Sequence, residues 1–508
     1  MTESLPIDGR SLTLEQFLAV ARDGCAVALA PEARPAIAAS RRVVERAVAR
    51  GIPVYGVTTG YGALSDRPVP ASESRALQLG LVRSHASGAG PFLPPDVVRG
   101  MLLVRANSLA AGHSGVRPEI VERLLELLNR RLTPAIPSQG SVGASGDLAP
   151  LAHLALAAIG EGEFLGPDGA TVPAARALAD AGIPPIDLAE KEGVALVNGT
   201  SLMTSYLALS VHDLDRLREV AEIAGAISFD ALRGDPEALD DRLGALKNLP
   251  EPRAEAEALR HLLEGSHLAA KRARYEGQDP YTLRCLPQVL ASVRLAIGFA
   301  RRIVEAELNA VSDNPIVFEG DEFVNGGNFH GQSLALALDT LAIAGQYLAA
   351  FSERRTARLV DPARNRGLPA FLAPDPGRSS GLMIPQYLAA ALVNENQSLV
   401  HPASAASLPT SADQEDYVSM GAWAGAKLRR LLDNVRTVLS VEWIVAAQAL
   451  ELRRPASGGR GSEAALRAVR TIVRPWSAER SPSPDIRAVA EAVADGSLVA
   501  KVRAEVPF

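Results

Sequence analysis

The chain has 508 residues, enough for a large buried core and, on length alone, for two or three domains. Its 52 Lys and Arg against 58 Asp and Glu leave a formal net charge of −6, which offers no basic surface for nucleic acid. Cys25 and Cys285 are too few for a disulfide framework, and eight scattered histidines without a ligand-like spacing give no metal site. Met1-Thr2-Glu3-Ser4-Leu5 has no basic-then-apolar leader pattern, and no uncharged apolar run reaches the ~20 residues of a membrane span. The expectation is a soluble cytoplasmic protein. Hydrophobic residues make up 47% and aromatic ones only 4%, so the core must be built from Ala, Leu and Val, which suits closely packed helices.

In chain order, residues 11–50 read as helices, with Leu12, Leu14, Phe17, Leu18 and Val20 on one patch and Ile37, Val44 and Val48 on another. Gly51 and Pro53 break the pattern. Val54-Tyr55-Gly56-Val57-Thr58-Thr59-Gly60-Tyr61-Gly62 then reads as a loop or short strand, a candidate lid with two tyrosines. Helical spacing returns at 72–84, 95–112 and 119–132, the last ended by Pro134 and Pro137. Gly, Asp and Pro clusters at 162–190 predict short strands and turns. From Thr200 the character changes. Ala- and Leu-rich stretches at 200–228, 282–311, 331–359, 383–400 and 416–450 each exceed the usual ~11-residue helix, which predicts a bundle of long helices. Asp313-Asn314-Pro315 stops one of them. From Pro455 a more polar appendage carries a helix near 484–496. The division expected is a mixed domain at 1–200, a central bundle at 201–454 and a helical appendage at 455–508.

The chemistry gathers on Gly140-Ser141-Val142-Gly143-Ala144-Ser145-Gly146-Asp147. Three glycines permit a hard bend, and Asp147 is placed to cap a helix whose first turn is Leu148-Ala149-Pro150. In such a bend the amide nitrogen of Gly146 can attack the carbonyl carbon of Ala144. Dehydration, including loss of the Ser145 hydroxyl, leaves a 4-methylidene-imidazol-5-one, an electrophile made from backbone. The tripeptide occurs three times, also as Ala86-Ser87-Gly88 and Ala456-Ser457-Gly458. The first reads as helix continuation after His85 and the last as a loose linker; only the middle copy has glycines on both sides and a helix start behind it.

Gly143-Ala144-Ser145-Gly146-Asp147-Leu148-Ala149-Pro150-Leu151 resembles the prosthetic-group signature of the aromatic amino acid ammonia-lyases and related aminomutases. The resemblance covers roughly 10–500 and implies their mainly α fold, with a long central bundle and a smaller mixed N-terminal domain, of the fumarase/aspartase-like superfamily. It implies elimination of ammonia from an aromatic L-amino acid, with the imidazolone formed from Ala144-Ser145-Gly146 as cofactor and neither metal nor nucleotide. It also implies a homotetramer whose sites draw Tyr55, His85, Ser145, Asn198 and Glu415 from one subunit, Tyr281 and Arg284 from another, and Phe329 from a third.

Further motifs carry the resemblance residue by residue. Val54-Tyr55-Gly56-Val57-Thr58-Thr59-Gly60 resembles the family's lid, in which Tyr55 would remove the β-proton; a tyrosine with a pKa near ~10 needs cationic or electrophilic surroundings for that. In Asp279-Pro280-Tyr281-Thr282-Leu283-Arg284, the guanidinium of Arg284 suits a carboxylate through two parallel hydrogen bonds, and Tyr281 falls on the same side of the turn. Asn198, in Asn198-Gly199-Thr200, can both donate to and accept from the substrate. In Gly327-Asn328-Phe329-His330, Phe329 would wall the electrophile and Asn328 orient it.

Two places bear on the substrate. Ser84-His85 resembles histidine ammonia-lyases and some tyrosine aminomutases, and His85 can bond an imidazole or a phenol. Ser407–Met420 resembles the histidine enzymes, with Glu415 where enzymes acting on phenylalanine or tyrosine usually have Gln. A carboxylate can hold an imidazolium, whereas against a phenyl ring it would be an uncompensated charge. Histidine, giving urocanate, is therefore the first expectation. A tyrosine or broad aromatic lyase or 2,3-aminomutase is the alternative, favoured by Gly331-Gln332. A catalytically dead helical scaffold is the non-enzyme alternative; it would show no ring closure.

Overall fold

The computed structural model describes residues 4–166, 169–270 and 277–508. Residues 1–3, which open the stretch read for a leader, and 167–168, within the clusters of 162–190, lie outside the described residues. The chain is mainly helical and forms two compact units from interleaved segments. One comprises Met1–Leu209, Ala300–Asp339 and Pro402–Ala426; the other comprises Ser210–Phe299, Thr340–His401 and Lys427–Phe508.

In the first unit the helix Pro95–Ala110 is buried on nearly every side. Val97, Val98, Met101, Leu102 and Leu103 meet no water, and the helix packs on Pro118–Asn129 through Ile120, Val121, Leu124 and Leu128. Asn107 inside it is partnered: it accepts from the Gly9 amide at 2.9 Å and donates to the Leu308 carbonyl at 2.8 Å. Such pairing is what allows a polar side chain in a dry core. Four two-stranded sheets brace the loops of this unit among the described residues. One pairs Ala89–Phe92 antiparallel with Pro137–Gln139, and so delivers Gly140 to a fixed place.

The second unit holds the greater part of each long helix. Ser201–Ala231, Leu286–Glu307, Gln332–Val360, Met383–Leu399 and Gly421–Glu451 fall on the five Ala/Leu-rich stretches of the sequence. Small residues let them approach: a Cβ on Gly225 would stand 2.7 Å from Leu286, and one on Gly345 equally close to Leu431. The buried Arg355–Glu442 pair is bidentate, at 2.5 and 2.8 Å, and Ser228 adds a third bond to Glu442 at 2.7 Å. A buried ion pair is tolerable when its lone pairs are taken up in this way. Gln332–Val360 is the one described helix long and apolar enough to cross a membrane by length and composition; it is largely buried core.

Four local expectations need correction. Ala86-Ser87-Gly88 does not continue the helix Ser74–His85, which stops where the spacing over 72–84 put it, because Ala86 leaves the helical region and the chain turns into the strand Ala89–Phe92. Ala456-Ser457-Gly458 is no loose linker. His267 bonds Ser457 through both backbone and side chain, and Gly458 and Gly459 donate to Glu463 and Asp230. The segment 162–190 contains a helix, Ala174–Asp180, besides its strands. The C-terminal region has three helices, Arg460–Arg470, Ser483–Ala494 and Ser497–Arg503, where one was expected.

Candidate active site

The glycine-rich turn is bent by backbone requirement. Gly140, Gly143 and Gly146 all have positive φ, at +147°, +69° and +74°. Space is equally decisive. A Cβ on Gly146 would collide with the carbonyl oxygen of Gly199, and one on Gly143 with the Ser419 hydroxyl. Across Ser145 the chain doubles back so tightly that Ala144 and Gly146 pair antiparallel with each other, while Gly146 pairs with Gly199 on its other side. This geometry fits the cyclisation read from the sequence. The attacking amide and the receiving carbonyl belong to residues already folded together, and the attacking residue lacks the Cβ that would obstruct it.

The turn is held from three directions. Met420 donates its amide to Val142 at 2.9 Å, and the Ser419 hydroxyl donates to Gly143 at 3.1 Å. The Asp147 amide donates to Gly199 at 2.7 Å. Asp147 itself departs from expectation, since its carboxylate does not bond the helix Leu148–Ala158 that it precedes. Its Oδ2 accepts instead from Leu202 and Met203 at 2.8 and 3.1 Å, and so caps Ser201–Ala231. Complete burial pushes this carboxyl up to about 7, against the opposing pull of those two amides.

Glu415 meets the turn directly. Its Oε1 accepts from the Ser145 hydroxyl at 3.1 Å and its Oε2 from Thr410 at 2.8 Å. Backbone bonds between Thr410 and Glu415 close the intervening loop, whose residues Ser411, Ala412 and Asp413 all have positive φ. Left-handed backbone at three successive non-glycine residues is costly and persists only where surroundings enforce it. His85 is near enough to feel Glu415: burial lowers its pKa, while a bond to the Leu81 carbonyl and the Glu415 charge oppose that. The lid loop reaches the same place. The Tyr55 hydroxyl accepts from the Gly62 amide at 3.0 Å, and Ala63 donates to Ser411 at 3.4 Å. Tyr61, the loop's second tyrosine, is pushed toward the neutral form, first by burial and then by Tyr55.

Asn198 is buried behind the turn. Its Nδ2 donates to the Asn314 carbonyl at 3.3 Å, its backbone carbonyl accepts from Arg105 at 2.6 Å, and its Oδ1 has no protein partner among the described residues. Phe329 is half-buried; beside it Asn328 donates to the Val311 carbonyl and His330 stacks on Tyr417. Tyr281 and Arg284 belong to the second unit, on the short helix Tyr281–Arg284. There the guanidinium lies 4.7 Å from the Tyr281 ring centre and Nε bonds the Asp279 carbonyl. Tyr281 is 66% exposed and, with Arg354, Arg358 and Arg364, lines a cavity of about 460 Å³. Tyr55, His85, Ser145, Asn198, Phe329 and Glu415 all lie in the first unit, where Glu415 bonds Ser145 and its charge acts on His85. Sequence reasoning missed Thr410, Ser419 and Arg105, which hold that set in place. A charge inside the apolar run Met101–Leu109 was the available signal for Arg105.

The sequence pattern of the aromatic amino acid lyases matches residues 12–471. The chain belongs to that family. It is 50% identical to a histidine ammonia-lyase of Symbiobacterium thermophilum over 98% of both chains. Its fold is that of a tyrosine aminomutase from Streptomyces globisporus, with TM-score 0.95, 38% identity and coverage of 100% of this chain and 99% of that one. A histidine ammonia-lyase from Trypanosoma cruzi matches with TM-score 0.92 and 37% identity, over 99% and 96% of the two chains.

Proposed function

We propose that this chain is a histidine ammonia-lyase, converting L-histidine to urocanate and ammonia. One observation carries the choice of substrate: a carboxylate, Glu415, stands 3.1 Å from the Ser145 hydroxyl and acts on His85. Beside an imidazole such a carboxylate forms a charge-assisted bond; beside phenyl it would remain unpaired. Ala144, Ser145 and Gly146 would form the imidazolone ring, which supplies an electrophilic carbon that makes the substrate amine a better leaving group.

The remaining work falls to side chains of this chain. Tyr55, oriented by the Gly62 amide, takes the β-proton. Glu415 and His85 hold the imidazole. The open Oδ1 of Asn198 accepts from the substrate's ammonium end. Arg284 holds the carboxylate, Tyr281 donates to charge that develops as the C–N bond breaks, and Phe329 excludes water. Tyr281 and Arg284 from a second subunit and Phe329 from a third complete the site, so the active species is a homotetramer, acting in the cytoplasm. Dilution into the monomeric range should abolish turnover; activity that persists there rejects the shared site.

A tyrosine or broad aromatic lyase or 2,3-aminomutase is the second reading, favoured by Gly331-Gln332 and by the likeness to a tyrosine aminomutase. Offering histidine, tyrosine and phenylalanine separately and following product absorbance separates the two. Histidine should lead in kcat/KM by at least about tenfold. A lead for tyrosine, or appearance of a β-amino acid, rejects the first reading.

A further inference from the structure

Behind the reactive turn lies a cation that the proposed reaction does not use. Arg105 sits on Pro95–Ala110 and is fully buried. Its Nη1 donates to the Asn198 carbonyl at 2.6 Å and its Nη2 to the Ser108 hydroxyl at 2.9 Å, while Nε has no partner among the described residues. Among the described residues no carboxylate bonds it. The Asp313 charge acts on it from a distance, and that carboxylate is bonded to the equally buried Lys191 at 2.6 Å. A guanidinium buried against neutral oxygens costs stability that an apolar side chain of similar volume would not. Packing alone therefore does not account for it.

Its neighbours do. A Cβ on Gly199 would collide with Arg105 Nη1 on one face, and the Gly199 carbonyl oxygen is what a Cβ on Gly146 would strike. Arg105, Asn198–Gly199 and Gly146 thus form one continuous stack. We infer that Arg105 is a positioning residue for ring closure: it fixes the Asn198–Gly199 backbone as the wall that keeps the Gly146 amide nitrogen within reach of the Ala144 carbonyl carbon. In that step a bond forms between Gly146 N and Ala144 C. The Ala144 oxygen leaves as water with the hydrogens of the Gly146 and Ser145 amides, and the Ser145 hydroxyl leaves as water with its α-hydrogen. No oxidant is needed. Holding reacting atoms at contact distance is a large part of what makes an intramolecular condensation fast. The inference rests on the function proposed above, because it concerns how that site is made.

The test uses the full-length chain made by cell-free synthesis and sampled over time by intact mass, with circular dichroism on the same samples. Wild type should acquire the mass deficit of double dehydration. Arg105→Met should reach wild-type helical content and acquire the deficit at least about tenfold more slowly, with Arg105→Lys between them. A folded Arg105→Met that dehydrates at the wild-type rate overturns the inference. Should Arg105→Met fail to fold, Arg105→Lys decides: slower dehydration in a folded chain supports the role, and an unchanged time course rejects it. A wild-type chain without any deficit removes the proposed function itself, which is a different outcome from either.

Discussion

Ala144-Ser145-Gly146 and Ala86-Ser87-Gly88 are the same three residues in the same compact unit, yet only one doubles back on itself. At 86–88 the chain leaves a helix through Ala86 and runs into a strand; Ser87 is exposed, and its amide bonds the His85 carbonyl at 2.8 Å. At 144–146 the backbone pairs with itself across Ser145 and is backed by Gly199. The first copy lies against the entry to the glycine-rich turn: a Cβ on Gly140 would stand 2.7 Å from the Ser87 carbonyl oxygen. Ala456-Ser457-Gly458 is bonded firmly too, but to His267 and Glu463. On the proposed function, cyclisation is a property of the enclosure. The tripeptide supplies the atoms, and residues far along the chain supply the distance.

Ser145→Ala should break the contrast most completely. It removes the hydroxyl whose departure leaves the methylidene, so turnover should fall by at least about 10³-fold and the two-water mass deficit should not appear. Unchanged mass loss in this variant would mean another copy cyclises. Glu415→Gln keeps the shape and removes the charge; histidine turnover should drop by roughly 10²-fold. A rate equal to wild type would end the imidazole-binding role.

A pH experiment sharpens the comparison from the side of Asp147. Burial raises this carboxyl from an ordinary 3.8 to about 7, so between those values the native chain binds a proton that the unfolded chain has lost. Its contribution to stability is full below about 4, falls as pH rises toward 7, and levels off above. Asp147→Asn still offers an oxygen to Leu202 and Met203 but cannot ionise. Its Tm relative to wild type should gain about 2–4 °C between pH 4 and 7, measured by calorimetry. A pH-independent gap rejects the assignment. The other two copies give the smallest effects. Ser457→Ala loses its bond to His267 and should cost about 1 kcal/mol, and Ser87→Ala less than about 0.5 kcal/mol, both with full dehydration.

The long helices were legible because Ala/Leu-rich runs of this length have few alternatives to a packed bundle. Glycine spacing exposed the reactive turn for a similar reason, since its positive φ values leave little choice of residue. The spacing over 72–84 marked where the Ser74–His85 helix stops, but the exit at Ala86-Ser87-Gly88 was not legible in the tripeptide itself. Nothing in Ala86-Ser87-Gly88 demands an exit there; the pairing with Pro137–Gln139, some fifty residues on, does. The cap made by Asp147 was hidden likewise, because its partners lie in another helix. The interleaving of three segments in each unit follows from contacts that periodicity does not encode.

The reach of the Asp147 and Glu415 bonds has a consequence for the order of biosynthesis. Asp147 finds its partner 55 residues downstream, and Ser145 meets Glu415 270 residues later. A nascent strand still on the ribosome, truncated before those positions, has the letters of the electrophile but no vise to press them together. On the proposed function, the warhead is armed only after those positions have been made, which keeps half-made copies from alkylating themselves or their neighbours.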